Sequence, residues 1–346
     1  MAFPVRRIAI LTGDHKAPDE TKRGGRYNEE DFEMHRAMLA AFAGMGGYSF
    51  ECWTDHDEAV RRIEKDPPDL VINFCDTGFR NKPTLELALP ALMEMHGVPY
   101  TGAPPAAMVL AFDKAIVRLV AQQIGIPVPR EHFIPSDASP DALAALYPSL
   151  LKPNRADGSV GITSDAVVHD RAEATTYFRW LQETLPGRDV LMQEYLPGPE
   201  YGVGLIGNPE DAIEALPVLE VDFSRLPNGL VPILSWESKA LPDSPYWSEI
   251  KFKRASIPER EATALVDWST RLFARFGMRD YARFDFRRAA DGEIKMMEVN
   301  PNPAWAPDGK LAHMASFGGI RYAEMLKRFL DGAIRRVERE AKAVRA

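Results

Sequence analysis

The chain has 346 residues, 45% of them hydrophobic and 27% charged, the make-up of an ordinary globular protein and not of a disordered one. That length asks for two or three packed subdomains. A net charge of -8 argues against a nucleic-acid backbone as the main partner, and no apolar run approaches the ~20 residues that span a bilayer, so no membrane partner is expected. The opening stretch MAFPVRRIAILTG has no signal-peptide apolar region or cleavage site, so a cytoplasmic protein is expected. Cys52 and Cys75 are too few for a disulfide framework or a cysteine-based zinc site, and the seven histidines are scattered singly.

Arg6-Arg7 lead into Ile8-Ala9-Ile10-Leu11, a short buried strand stopped by Thr12-Gly13-Asp14. A charged loop from His15 to Tyr27 follows, then a helix over 28–45 with Phe32, Met34, Leu39 and Phe42 on its apolar side. The pattern repeats with a strand at 49–53, a helix at 57–65 and a strand at 70–74, which predicts α/β architecture. Ligands of open α/β sheets bind beyond the carboxyl ends of the strands, and this directs attention to Gly13, Asp14, His15 and to Asn73 through Asp76. The same residues also suit plain turn and capping chemistry.

Residues 84–96 read as a helix interrupted by Pro90, residues 97–102 as a short strand and turn, and a further helix carries Asp113-Lys114 near its start. Residues 147–153 read as a strand ending in Lys152, followed by Asn154-Arg155-Ala156-Asp157-Gly158-Ser159-Val160-Gly161. A strand, a lysine and a loop of small residues make a phosphate-binding arrangement, because backbone N–H groups can approach anionic oxygens there. It is not a Walker A loop, since no G-x-x-x-x-G-K-[ST] occurs. The strand VLMQEY at 189–195 runs through Leu196-Pro197-Gly198-Pro199-Glu200 into a second strand, YGVGLIG. Residues 232–256 read as a loop rich in Pro, Ser and aromatics, residues 258–276 as an amphipathic helix, residues 313–330 as the last helices, and residues 335–346 as a charged, solvated tail.

Alternation in YARFDFRR puts Tyr281, Arg283, Asp285 and Arg287 on one strand face and Ala282, Phe284 and Phe286 on the other. Asp291-Gly292 suits a two-residue hairpin turn, whose central residues need positive φ. With that pair as the turn, Asp285 falls opposite Glu298 and Arg283 opposite Asn300. Opposed side chains start ~4.5–5.5 Å apart at Cβ, so the two carboxylates need a cation between them. Asp285, Glu298 and Asn300 offer hard oxygen ligands that suit magnesium, and manganese can take the same place.

The Arg-x-Asp strand, the turn and the ending Glu-Val-Asn-Pro-Asn-Pro resemble the ATP-grasp superfamily, and VPYTGAPPAAMVLAFDKAIVRLVAQQIGIPVP resembles the domain connection of D-alanine:D-alanine ligases. The resemblance implies an ATP-grasp fold, α+β in its ATP-binding lobes, behind an N-terminal α/β domain. The corresponding divisions are 1–103, a central lobe at 104–189, a C-terminal lobe at 190–334 and the tail. It implies ATP contacts from Lys114, Lys152, Gly158, Ser159, Gly161 and Lys239, ribose binding by Glu200, and adenine binding by Gln193 or, one residue along, Glu194. Lys152, Lys239 and Arg283 would stabilise the transferred phosphoryl group and the acyl phosphate. The implied partners are a small carboxylate and an amine, and relatives of this kind are often homodimers.

The acceptor side departs from the family. No glutamate counterpart is evident in the first loop, Gly158 replaces a serine, Ala240 replaces a tyrosine, and Asn302 and Trp305 would line a differently shaped pocket beside Asp14 and His15. An ATP-dependent ligase with a changed substrate pair is therefore the leading expectation. A D-alanine:D-alanine ligase is the second, and a non-catalytic ATP-binding module is the third.

Overall fold

In the computed structural model, which describes residues 5–343, the first apolar run is strand β1 (Arg7–Leu11). It lies between β2 (Ser49–Trp53) and β3 (Leu70–Asn73) in a parallel three-stranded sheet. Parallel strands need crossovers, here supplied by helices Glu29–Ala43 and His56–Lys65. Each begins on a side-chain cap: Asn28 accepts the N–H groups of Glu30 and Asp31, and Asp55 accepts that of Glu58. Pro90 does not interrupt its helix. It sits in the first turn of Ala88–Met95, where no backbone N–H is required, and Pro83–Leu85 is a separate 3-10 turn. Residues 97–102 contribute one bridge, Tyr100 to Val71.

The second sheet is antiparallel and contains β4 (Glu131–Ile134), β5 (Ser149–Pro153), β6 (Val167–Val168) and β7 (Val190–Glu194) in the order β4-β7-β5-β6. Helix Arg171–Thr184 covers it with Ala174, Tyr177, Phe178 and Leu181. A division after residue 189 would cut this sheet, because β7 pairs along its length with both β4 and β5.

The third sheet contains β8 (Glu200–Asn208), β9 (Ala212–Ala215), β10 (Leu219–Asp222), β11 (Lys251–Arg254), β12 (Tyr281–Arg288) and β13 (Ile294–Asn300). Its order is β11-β10-β8-β12-β13, with β9 alongside β8. Phe284 and Phe286 enter a core shared with Leu272 and Phe273 of helix Glu259–Arg275 and with Ala107 and Val117 of helices Pro105–Phe112 and Lys114–Gln123. Fully burying each phenylalanine contributes about 1.5–3 kcal/mol. The segment 105–123 thus packs on the third sheet, and not in the central lobe expected for it.

The tail also differs from expectation. Helix Tyr322–Ala343 runs unbroken through it, because Val337 and Arg336 are buried. Arg336 pairs with Asp280 at 2.8 Å and donates to the Tyr100 carbonyl at 2.7 Å, tying the last helix to the first and third sheets. Positions 344–346 of the expected tail lie outside the described residues. Among the described residues no helix is long and apolar enough to cross a membrane.

Candidate active site

Strand β12 alternates as its sequence predicts, and Asp285 does face Glu298 while Arg283 faces Asn300. The route to that register is different. The turn is a three-residue loop, Ala290–Gly292, closed by the Ala289 N–H donating to the Glu293 carbonyl at 2.8 Å. Gly292 takes φ 89°, and Asp291 is not among the residues with positive φ. From this loop Phe286 pairs with Met296, and one extra residue, Met297, then enters β13 as a β-bulge before Asp285 meets Glu298. Without the bulge Met297 would oppose Asp285.

On the other flank of β12, Gly202 of β8 lies opposite Asp285 and Gly204 opposite Arg283. A Cβ at Gly202 would come within 2.8 Å of Met314, and one at Gly204 within 2.7 Å of Leu311. Glycine at both positions lets helix Lys310–Phe317 lie directly on β8. This places Lys310 Nζ 3.3 Å from Glu200 Oε1 and 3.6 Å from Asp285 Oδ2. Sequence reasoning missed Lys310. No periodicity links it to β12, and its one local signal was the Asp308-Gly309 turn ahead of the helix.

These groups line a cavity of about 440 Å³ to which the second and third sheets contribute strand residues and the first sheet's connections contribute Thr21, Asp76 and Glu86. Arg283 grips Asp285 with Nε 3.0 Å from Oδ1 and Nη2 2.9 Å from Oδ2, and Asn300 Nδ2 lies 3.3 Å from Oδ2. Lys114 Nζ lies 3.3 Å from Glu298 Oε1 and donates to the Ala156 carbonyl at 2.5 Å. Lys152 Nζ has a neutral partner, Gln193 Oε1 at 3.2 Å. Lys239 lines the cavity with no ion pair or hydrogen bond among the described residues.

Protonation follows from this pairing. Burial pushes the Asp285 carboxyl up, but Arg283 and Lys310 outweigh it and hold the group down to about 2. Glu298 is held below the usual range in the same way, burial opposing Lys114. Both are anions at neutral pH, as metal ligands must be. Burial pushes the Lys239 ammonium down to about 8, with Lys310 adding repulsion, and burial beside Lys114 lowers Lys152. A ligand that brings negative charge to these two lysines would relieve that penalty.

Gly158 and Ser159 line the cavity from a loop in which both have positive φ, 63° and 61°. A Cβ at Gly158 would meet the Thr21 side chain at 3.2 Å, so any larger residue there would have to displace the first loop slightly and hold a strained positive φ. The 232–256 segment lies over this loop. Ser159 Oγ donates to the Leu234 carbonyl at 2.8 Å, the Trp236 N–H donates to the Ile162 carbonyl at 2.7 Å, and Glu237 accepts the Ser164 N–H at 3.0 Å. Residues 237–240 form a short helix with Ala240 buried and Lys239 turned to the cavity.

Glu200 and Asn302 also line the cavity, whereas several expected residues do not. Gln193 is buried between Lys152 and Glu131, and Glu194 pairs with Lys295 at 2.5 Å and Arg130 at 2.7 Å, so both are committed to side-chain partners. At Gly161 a Cβ would strike Pro153 at 2.7 Å, which makes this glycine a packing requirement. Asp14 accepts the backbone N–H groups of Lys16 and Ala17, and His15 packs on Tyr27 with centroids 4.6 Å apart. Trp305 does not line the pocket as expected. It stacks on Phe74 with centroids 5.1 Å apart and packs at a tilt against Phe329 at 4.8 Å inside the core, because its indole face is apolar and those rings surround it.

Comparison with known proteins agrees with this geometry. The sequence model of the D-ala D-ala ligase C-terminus matches residues 121–331. An uncharacterised protein of Sinorhizobium fredii is 32% identical over 249 residues, covering 72% of this chain and 70% of that protein. A D-alanine–D-alanine ligase of Bordetella petrii is 27% identical over 92% of this chain and 93% of its own. Among solved structures, the D-alanine–D-alanine ligase of Bacillus anthracis complexed with ATP superposes with a TM-score of 0.70 at 17% identity, covering 97% of this chain and 99% of that one. The matched segment runs from before β4 into the first half of the last helix and holds the whole carboxylate hairpin. The chain belongs to the D-ala D-ala ligase family, built on the ATP-grasp fold.

Proposed function

We propose that this protein is an ATP-dependent ligase that joins a small carboxylate to an amine through an acyl phosphate. The observation that carries the reading is the buried cross-strand pair Asp285–Glu298, ringed by Arg283, Lys114 and Lys310, with Lys152 and Lys239 left free of acidic partners. A carboxylate is a poor electrophile. Transfer of the γ-phosphoryl group of ATP to its oxygen expels ADP and makes the acyl carbon reactive. The amine nitrogen then attacks that carbon, phosphate leaves, and the nitrogen gives up a proton. In such a transfer the protein mainly positions groups and neutralises spreading negative charge.

The residues divide that work by their surroundings. Lys152 and Lys239 supply cations without acidic partners for phosphate oxygens, and Lys114 is within reach of the same cavity. Arg283, a planar guanidinium fixed beside Asp285, is placed to stabilise an acyl phosphate oxygen. Glu200 accepts ribose hydroxyls in this reading. The donor set suits magnesium: two carboxylates held ionised and one amide. Asp285, Glu298 and Asn300 would hold the ion, which when bound supplies positive charge to the phosphates. The three sheets are proposed as the cores of three lobes that meet at this cavity.

The relatives named as D-alanine–D-alanine ligases favour D-alanine as one substrate to test. Gly158 and the buried Ala240 favour a different pair, because both lack the polar side chains expected for binding D-alanine. The test is ADP release from purified protein with ATP and magnesium, against D- and L-amino acids singly and in pairs, with products identified by mass spectrometry. A condensed product with one pair supports the reading. ADP release that no carboxylate-amine pair stimulates would remove it.

A further inference from the structure

The charges that line the cavity are not matched evenly. Lys152 and Lys239 lack acidic partners, which suits the phosphates of ATP. Beyond the carboxyl end of β3 the imbalance has the opposite sign. The Glu86 carboxylate lines the cavity at 9% exposure and makes no ion pair among the described residues; the one side-chain hydrogen-bond donor beside it is the neutral amide of Asn302. The neighbouring amide of Asn302 is neutral and already engaged, donating to the Cys75 carbonyl at 3.0 Å and accepting from Tyr281 at 2.9 Å. Asp76 is faced by Lys22, which is itself paired to Asp31 at 2.9 Å. Asp157, across from them on the phosphate loop, has a buried Oδ2 with no partner.

Three carboxylates so placed repel one another. Burial, Asp157 and Asp76 all push Glu86 up against the Asn302 amide, and burial pushes Asp157 up to about 6 against the pull of Lys114 and Lys239, which leaves Glu86 as the carboxylate with no cation facing it. An uncompensated buried carboxylate is costly, and a polypeptide keeps one where a ligand supplies the missing charge. Glu86, Asp76 and Asp157 stand apart around the cavity and are not gathered into one cluster of metal-ligating groups. Dispersed carboxylates around a cavity suit an extended organic cation, which offers separated donors. An α-ammonium alone would satisfy one of the three.

We propose that one substrate of this ligase is an amino acid with a second cationic group, an ammonium or guanidinium on its side chain, held by Glu86 and Asp76 with Asp157 facing it. The inference rests on the ligase reading for its reaction, and on Glu86 and its neighbours for its specificity.

The test compares D- and L-lysine, ornithine and 2,4-diaminobutyrate with norleucine, an uncharged match for lysine in length. Two readouts keep the readings apart: binding by calorimetry to protein loaded with magnesium and a non-hydrolysable ATP analogue, and ADP release with ATP. One of the diamino acids should exceed norleucine by on the order of tenfold or more in affinity and in kcat/KM. Glu86→Gln should erase most of that preference while keeping the fold, since it removes an unpaired charge. Asp157→Asn provides a second variant with the same expected direction. Norleucine or alanine performing as well as every cationic substrate would overturn the inference and leave the ligase standing. Glu86-dependent binding of a diamino acid with no ADP release for any pair would support the site and overturn the ligase reading. A preference for cationic substrates unchanged in both variants would also overturn the inference.

Discussion

Two walls of one cavity treat charge in opposite ways. On the third sheet, Asp285 and Glu298 are each held by cations on fixed strands and helices. Beyond β3, on turns between elements, Glu86 has no cation facing it and Asp76 shares Lys22 with Asp31. The first wall is assembled before any ligand arrives, and this preorganisation is what phosphoryl transfer requires. The second is electrostatically incomplete, and its ligand is to complete it. Chemistry common to a family can be built into a sheet, while selectivity is left to the turns of another lobe.

The sharpest way to break the contrast is to disarm the preorganised wall. Asp285→Asn and Glu298→Gln should each lower kcat by roughly 10³-fold or more, with far-UV circular dichroism unchanged. Activity within a few-fold of the parent protein would show that the hairpin does not carry the reaction. Next in size is the strut behind both walls. Arg336→Met strands Asp280 in the core and should cost about 3–5 kcal/mol in denaturant unfolding, despite lying in a segment whose sequence reads as a solvated tail. A loss below about 1 kcal/mol would return that segment to the surface.

Lys239→Ala should lower kcat by about 10²-fold and change KM for the amine little. With burial pushing its ammonium down to about 8, the free protein loses this cation as pH rises through that value. The kcat/KM for ATP should fall along the same limb, and Lys239→Arg should extend the plateau to higher pH. A profile flat to pH 10 would remove Lys239 from the phosphate site. The smallest effect belongs to the incomplete wall. Glu86 titrates above its ordinary value of 4.5 in the fold, so at neutral pH its ionised form opposes folding. Glu86→Gln should therefore raise stability at pH 7, read as a higher denaturant midpoint than that of the parent protein. The gain should shrink as pH falls from the raised folded value toward 4.5 and be absent below 4.5, where both states are protonated.

Where sequence alone read this molecule well, a short-range rule was at work. Alternation along β12 separated Phe284 and Phe286 from Arg283 and Asp285, and Asp113 was visible beside Lys114 at a helix start, where it caps the Ile116 N–H. The Asp285–Glu298 register came out correctly through two compensating differences. The turn holds one residue more than Asp291-Gly292 suggests, and the Met297 bulge restores the pairing. A bulge has no reliable signature in one sequence, since it depends on packing across the sheet.

What stayed hidden was contact between distant segments. Lys310 reaches Asp285 because Gly202 and Gly204 admit its helix, and Glu86 and Asp157, 71 positions apart, face the same cavity and repel each other. Trp305 looked like a pocket residue by position, but Phe74 and Phe329 claim its ring for the core. Gln193 and Glu194 looked available by alignment, yet Lys152, Arg130 and Lys295 already occupy them. Each depends on a neighbour more than 40 positions away or on the identity of a partner surface, and no local pattern encodes that.

The central claim is that this cavity couples ATP cleavage to the joining of a carboxylate and an amine. Its most direct measurement is a coupled assay of ADP release and product mass, run in parallel on the parent protein and Asp285→Asn with the same substrate panel. The account predicts ADP and a condensed amide in equal amounts from the parent protein with at least one pair, and neither from the variant. ADP without any condensed product, or equal output from the variant, would contradict it.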